Sequence, residues 1–371
     1  MPTVGLYTLG CKVSQYETEA ISEAFEQHGF SVLPYDAVCD VYVINTCTVT
    51  AESDRKSRQI IRRAIKKNPG AVVLVTGCYS QRSPGEVLAI PGVDVVYGSA
   101  DKLKLADAAD ELLRGRNGAP LCHVTDIDSE PFERMKITGA PRTRAYVKIE
   151  DGCGCRCSYC AIPSARGRVR SKAREDVIAE VEALSAAGTK EIVLTGIETG
   201  SYGAEFDTPY GLADLLCELD GRKSCERIRL GSLAPELQDK KFVEKIEGLS
   251  ILAPHFHLSV QSGSDHVLRA MRRRYSRKTA LENLLRLRER IPRVQLTTDL
   301  MVGFPGETEE DFQETMSFAR EVRFLDLHVF AYSRRKDTPA ASFPGQIPEA
   351  VKRDRSERLI ALGRELREKE L

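Results

Sequence analysis

The chain has 371 residues, 42% of them hydrophobic, which is long for one core and ample for globular packing, so two domains are expected. Its 54 basic and 54 acidic residues cancel, which excludes a whole-molecule field that attracts nucleic acid and leaves any polyanion to local patches. The start, MPTVGLYTLGCK, lacks the features of a secretory signal, and no later apolar run approaches the roughly 20 residues that cross a bilayer, so a cytoplasmic protein with no membrane partner is expected. In that reducing compartment eleven cysteines, an odd count, point to metal or redox chemistry rather than disulfides.

Taken in chain order, VGLYTL precedes a helix from about Ser14, VYVIN one from near Ser53, AVVLVT another, and VDVVYG precedes ADKLKLADAADELLRG. Repeated strand-helix alternation predicts an α/β fold that begins with an open parallel sheet over residues 1–121. The periodicity fades between Cys122 and Ala140, which reads as a linker over 122–140. From RAYVKIE the alternation resumes with strands expected at 145–150, 190–195, 226–231, 256–260, 294–300 and 327–332. Six units fit a partial (β/α)6 barrel over 141–345 better than a complete barrel of eight, and one charged helix remains in 346–371.

Cys11 follows LYTLG, Cys47 follows VYVINT and Cys78 follows VVLVTG, so each stands at the carboxyl end of a predicted strand. In a parallel sheet those ends share the ligand-binding edge, where three thiols can meet. The plainer alternative is three unrelated buried thiols. DGCGCRCSYC, at 151–160, packs four more cysteines together without the paired halves of a typical structural zinc site. Leaving out Cys155 gives Cys153, Cys157 and Cys160 directly after the first barrel strand; soft thiolates suit an iron-sulfur cluster, and three ligands on four irons leave one iron open. Other strand ends carry Gly196 and Gly200, Ser259 and Gln261, and a glycine-rich turn containing Gly303. Each alone is a simple turn, but together they gather on the barrel's carboxyl face, where active sites form.

GCGCRCSYC, with Tyr159 before its last cysteine, resembles the signature of radical S-adenosylmethionine (SAM) enzymes. LGCKVSQYETE, VINTCTVT, TGCYSQ, GCGCRCSYCAIPSARGRVRS, LTGIETGSYG, SVQSGSDHVLRAMRRRYS and DLMVGFPGETEEDF are similar, in order and over almost the whole chain, to the methylthiotransferases. Lys12 and the QYE run after it resemble the branch acting on N6-threonylcarbamoyladenosine 37 of tRNA, as against isopentenyladenosine or a ribosomal-protein aspartate.

The resemblance implies that Cys153, Cys157 and Cys160 hold a 4Fe-4S cluster that reduces SAM to a 5'-deoxyadenosyl radical. It implies that Cys11, Cys47 and Cys78 hold a second 4Fe-4S cluster carrying the sulfur to be methylated and placed at C2 of the adenine. Tyr159, Gly196, Ser259, Gln261, Arg273 and Gly303 are expected around SAM, with Arg273 on its carboxylate; a solvated helical face is the plainer reading of Arg273. Expected partners are the tRNA anticodon stem-loop, an electron donor such as flavodoxin or ferredoxin, and a sulfur source. Basic stretches at 55–67 and 165–174 are expected to meet phosphate, the second more than the first.

Relatives generally continue into a C-terminal TRAM β-barrel, which is expected to be absent here because the chain ends at Leu371. Cys155 is read as a spare thiol, Glu198 is unassigned, and Cys39, Cys122, Cys217 and Cys225 match no motif. The six histidines are scattered without metal-ligand spacing and read as ordinary. A rival of another class is a noncatalytic, zinc-stabilised RNA-binding protein.

Overall fold

A computed structural model describes residues 1–115, 118–139 and 143–371; the expected join between linker and barrel at 140 and 141 lies outside the described residues. The first half runs β1 (Thr3–Thr8), α1 (Lys12–Gln27), β2 (Ser31–Leu33), β3 (Val41–Thr46), α2 (Ala51–Lys67) and β4 (Val72–Gly77). It continues through α3 (Cys78–Arg82), α4 (Pro84–Leu88), β5 (Val95–Tyr97), α5 (Leu105–Arg114) and β6 (Leu121–His123). These strands form one parallel sheet in the order β2-β1-β3-β4-β5-β6. VYVINT and VVLVTG are buried throughout because helices cover both faces, the reason for their unbroken β-branched runs. The strand order reverses between β1 and β3, which opens a crevice at their carboxyl ends.

The second half runs β7 (Arg144–Lys148), β8 (Glu150–Asp151), α6 (Ile162–Arg166), β9 (Arg170–Ser171), α7 (Arg174–Ala186) and β10 (Glu191–Thr195). Next come α8 (Leu212–Arg222), β11 (Ile228–Leu230), β12 (Ser232–Leu233), α9 (Lys240–Ile246), β13 (His255–Gln261), α10 (Asp265–Ala270) and α11 (Arg277–Arg290). The chain ends with β14 (Gln295–Val302), α12 (Glu309–Val322), β15 (Asp326–Ala331) and α13 (Glu349–Glu370). β7, β10 and β11 pair in parallel, as do β12 to β15, and β11 and β12 are one strand broken at Gly231. All six expected barrel strands are therefore present. β8 and β9 form a short antiparallel pair that clamps the cysteine-rich loop between them.

Along β13 exposure alternates, with Phe256, Leu258 and Val260 in the core while His255, His257, Ser259 and Gln261 face the lumen. Tyr16 and Ala20 of α1 join the same core as the barrel strands, so the first helix of the chain also packs on the barrel. Residues 124–139 carry no helix or strand, yet Met135 and Ile137 are buried in that core. The Tyr16 hydroxyl donates to the Met135 carbonyl at 2.7 Å, so this segment is strapped down rather than loose.

Candidate active site

Cys11 is the N-cap of α1, Cys47 follows β3, and Cys78 opens α3 straight after β4. Register places Thr8 beside Asn45 and Thr46 beside Gly77, so the three cysteines end neighbouring strands at the reversal point. A side chain on Gly10 would lie 3.4 Å from the Cys47 Cβ; Cys47 feels the charge of Cys11, and Cys78 that of both Cys47 and Cys11. Burial pushes the Cys78 thiol up to about 11, against the pull of the Arg166 guanidinium beside it.

The second set lies in the loop between β8 and α6. The Cys153 amide donates to the Gly167 carbonyl at 3.0 Å, the Cys155 amide donates to the Cys153 sulfur at 3.4 Å, and the Ile162 amide donates to the Cys160 sulfur at 3.4 Å. Gly152 has φ +90, and a Cβ there would sit 1.9 Å from the Arg168 carbonyl oxygen, so the loop closes only with glycine at that position. The hydrogen bond from Cys153, aided by Arg274 and Arg273, brings the Cys155 thiol down to about 6, so Cys155 is close to the other thiols and not apart from them. Arg273 lies in the turn between α10 and α11, not on a helical face; its guanidinium donates to the Cys157 sulfur at 3.5 Å and to the Ser259 carbonyl at 2.9 Å.

One residue joins the two sets. Arg166, at the end of α6, is fully buried and donates to the Cys78 sulfur at 3.1 Å while pairing with Glu17 of α1 at 2.5 Å and Asp151 at 3.2 Å. Lys102 and Lys148 reach the same Glu17 carboxylate at 3.3 and 3.0 Å, and Arg170 reaches Asp151 at 3.8 Å. Four cations thus meet the carboxylates of Glu17, Asp151 and Glu133, which leaves an excess of one positive charge beside the Cys78 sulfur. Arg82 of α3 donates to the Ser164 hydroxyl of α6 at 3.0 Å, and Arg335 binds Asp54 and the Thr48 hydroxyl, each at 2.7 Å, beside Cys47. In the stretch 165–174, Arg166, Arg170 and Lys172 are buried in ion pairs, which leaves Arg168 and Arg174 as its exposed cations. In the other basic stretch, Lys56, Arg62 and Lys66 on α2 are exposed and make no ion pair among the described residues.

Around the expected SAM position, Tyr159 packs its ring on Phe304, with centroids 6.4 Å apart. Ser259 and Gln261 face the lumen, the latter at φ 68 in a β-bulge. The missing side chains of Gly196 and Gly303 are explained by protein neighbours: a Cβ on Gly196 would lie 2.4 Å from Glu150 Oε2, and one on Gly303 would lie 2.4 Å from the Lys352 Cγ. Sequence reasoning missed Glu150, whose Oε2 accepts from the Glu198 amide at 2.9 Å while its buried Oε1 has no partner among the described residues. Burial pushes the Glu150 carboxyl well above the usual range and Glu198 up to about 8.

A cavity of about 770 Å³ opens between Cys11 and Lys12 of the first half and the lumen of the barrel, where Gly196, His257, Thr297 and His328 line it. Three of the six histidines, His255, His257 and His328, therefore gather at this cavity. His257 Nε2 lies 3.2 Å and His328 Nδ1 3.4 Å from the same oxygen of Asp299, and His257 Nδ1 is 2.9 Å from the Thr297 hydroxyl. Positions far apart in sequence met here because they lie on inward-facing places of adjacent parallel strands.

Residues 147–319 match the model of the radical SAM superfamily, and residues 3–98 match uncharacterized protein family UPF0004. The chain is 46% identical over 369 residues, 99% of its length, to threonylcarbamoyladenosine tRNA methylthiotransferase MtaB of Bacillus subtilis and spans 81% of that relative. It is 39% identical to the protein of the same name from Thermotoga maritima, over 96% of this chain and 80% of that one. It is 36% identical to tRNA-2-methylthio-N(6)-dimethylallyladenosine synthase of Methylacidiphilum infernorum, over 98% and 80%. In fold it is similar to the radical SAM methyltransferase TsrM of Kitasatospora setae, solved with cobalamin and a 4Fe-4S cluster, at a TM-score of 0.67 and 18% identity, over 92% of this chain and 77% of that one.

Proposed function

The chain belongs to the methylthiotransferases of the radical SAM superfamily, and from that premise we propose that it places a methylthio group at C2 of N6-threonylcarbamoyladenosine 37 in tRNA. Identity to the threonylcarbamoyladenosine enzymes, 46% and 39%, exceeds the 36% to a dimethylallyladenosine enzyme, which favours that substrate. The observation that carries the reading is the buried Arg166, which fastens the loop of Cys153, Cys157 and Cys160 to Cys78 of the other cysteine set. Two 4Fe-4S clusters and SAM are its cofactors.

The residues fit those groups. Two sets of soft thiol donors meet the ligand chemistry of iron-sulfur clusters, and the unpartnered Glu150 Oε1 beside Gly196 is an acceptor matched to the SAM ammonium. Cys153, Cys157 and Cys160 would hold one cluster, and Cys11, Cys47 and Cys78 the other. Bound there, the first supplies the electron that cleaves SAM and the second supplies the sulfur. Arg273, already on Cys157, is placed to orient the SAM carboxylate, with Ser259 and Gln261 offering polar contacts from the lumen wall. Tyr159 and Gly303 shape the same mouth. The network around Glu17 fixes the distance between the two cysteine sets.

A flavodoxin- or ferredoxin-type reductant, a separate sulfur source and a cytoplasmic location complete the proposal; no helix among the described residues is long and apolar enough to cross a membrane. The test is nucleoside analysis of tRNA from a strain lacking the gene. Loss of the 2-methylthio derivative of threonylcarbamoyladenosine is expected. Unchanged tRNA nucleosides would overturn the reading, as would a colourless protein holding zinc and no iron after anaerobic reconstitution.

A further inference from the structure

The cavity between the two halves has a charge pattern that the chemistry above does not use. Lys12 lines it directly after Cys11, and no hydrogen bond or ion pair joins its amino group to a described residue. The charges acting on it are the like charges of Arg144 and Arg229 and the opposite ones of Cys11 and Asp299. Both arginines are already paired with Glu191, the second at 3.3 Å. Asp299 is engaged by His257 and His328, and Asp326, the other carboxylate of the wall, accepts from the Leu327 amide at 3.0 Å. Lys12 is a cation of this cavity that forms no ion pair among the described residues, and a part-buried ammonium in that position calls for an anion from outside.

Resting on the proposed function, we propose that Lys12 is the receptor for the carboxylate on the threonine part of the substrate's N6 substituent. The cavity volume of about 770 Å³ lies in the range that takes a base with a large substituent. The position suits the chemistry, because a base anchored through its substituent at Lys12 is held beside Cys11, the most exposed of the three thiols at the strand ends. A dimethylallyl substituent carries no charge and leaves the ammonium unpaired, so the same lysine that accepts one substituent penalises the other.

The experiment uses the full chain with both clusters reconstituted and three anticodon stem-loops: one with N6-threonylcarbamoyladenosine, one with its carboxylate methyl ester, and one with N6-dimethylallyladenosine. Binding is read by fluorescence anisotropy and thiolation by kcat/KM. The wild-type chain is expected to prefer the acid over the ester by roughly 10- to 100-fold, the worth of one charge-assisted hydrogen bond. Lys12→Met is expected to erase that preference and Lys12→Arg to restore part of it. Equal binding of acid and ester by the wild-type chain overturns the inference without any variant. A preference that survives in Lys12→Met places the receptor elsewhere and leaves the proposed function standing. A wild-type chain that thiolates only the dimethylallyl stem-loop overturns both.

Discussion

Glu17 is the residue on which the two halves depend most. Burial alone would raise its carboxyl pKa, but Arg166, Lys102 and Lys148 outweigh that and hold it well below the usual range. Removing one partner of such a network strands the others, so Glu17→Gln is expected to lower stability by about 3–5 kcal/mol at pH 7, read from thermal unfolding. A depressed folded pKa gives stability that is complete above the unfolded value of about 4.3 and is lost as pH falls through the folded value. The gap between the wild-type chain and Glu17→Gln should therefore shrink in strong acid; equal melting at pH 7 would show that the network contributes nothing. Among the thiols, Cys11→Ala is expected to keep SAM cleavage and lose thiolation, whereas Cys157→Ala loses both. Cleavage lost in Cys155→Ala but kept in Cys157→Ala would reverse the ligand assignment. The cysteines were legible because each set has a signature, either a loop or a strand end. Glu17 was not, since nothing local relates it to Arg166, which lies 149 residues away.

At the scale of elements, the strands could be read because parallel strands buried on both faces are continuous apolar runs. The basic stretches could not, because charge count carries no information about burial. α6 and β9 took their arginines inward, while α2 kept Lys56, Arg62 and Lys66 exposed, starting four residues after Cys47. If α2 follows the tRNA backbone, replacing those three cations with Gln should lower the slope of log affinity against log salt by roughly 2 to 3, one released counterion for each contact. An unchanged slope would remove α2 from the interface. The histidines escaped for a related reason: inward positions on β13, β14 and β15 converge only after the strands pair, and Asp299 reaches His257 and His328 across two strand neighbours.

For the whole molecule, the open sheet and the partial barrel form one chemical unit, since the strand reversal that gathers Cys11 and Cys47 faces the barrel across a shared cavity. Arg166, Arg82 and Arg335 lock that arrangement with side chains from one half on partners in the other. A reactive site divided between two halves needs such a lock, because small misplacements between reacting groups are costly in rate. The most direct measurement is anaerobic turnover of the purified, reconstituted chain with tRNA carrying N6-threonylcarbamoyladenosine 37, followed by mass analysis of the nucleosides. The expected result is its 2-methylthio derivative from a protein holding about eight irons. SAM cleaved while that nucleoside stays unmodified would contradict the account.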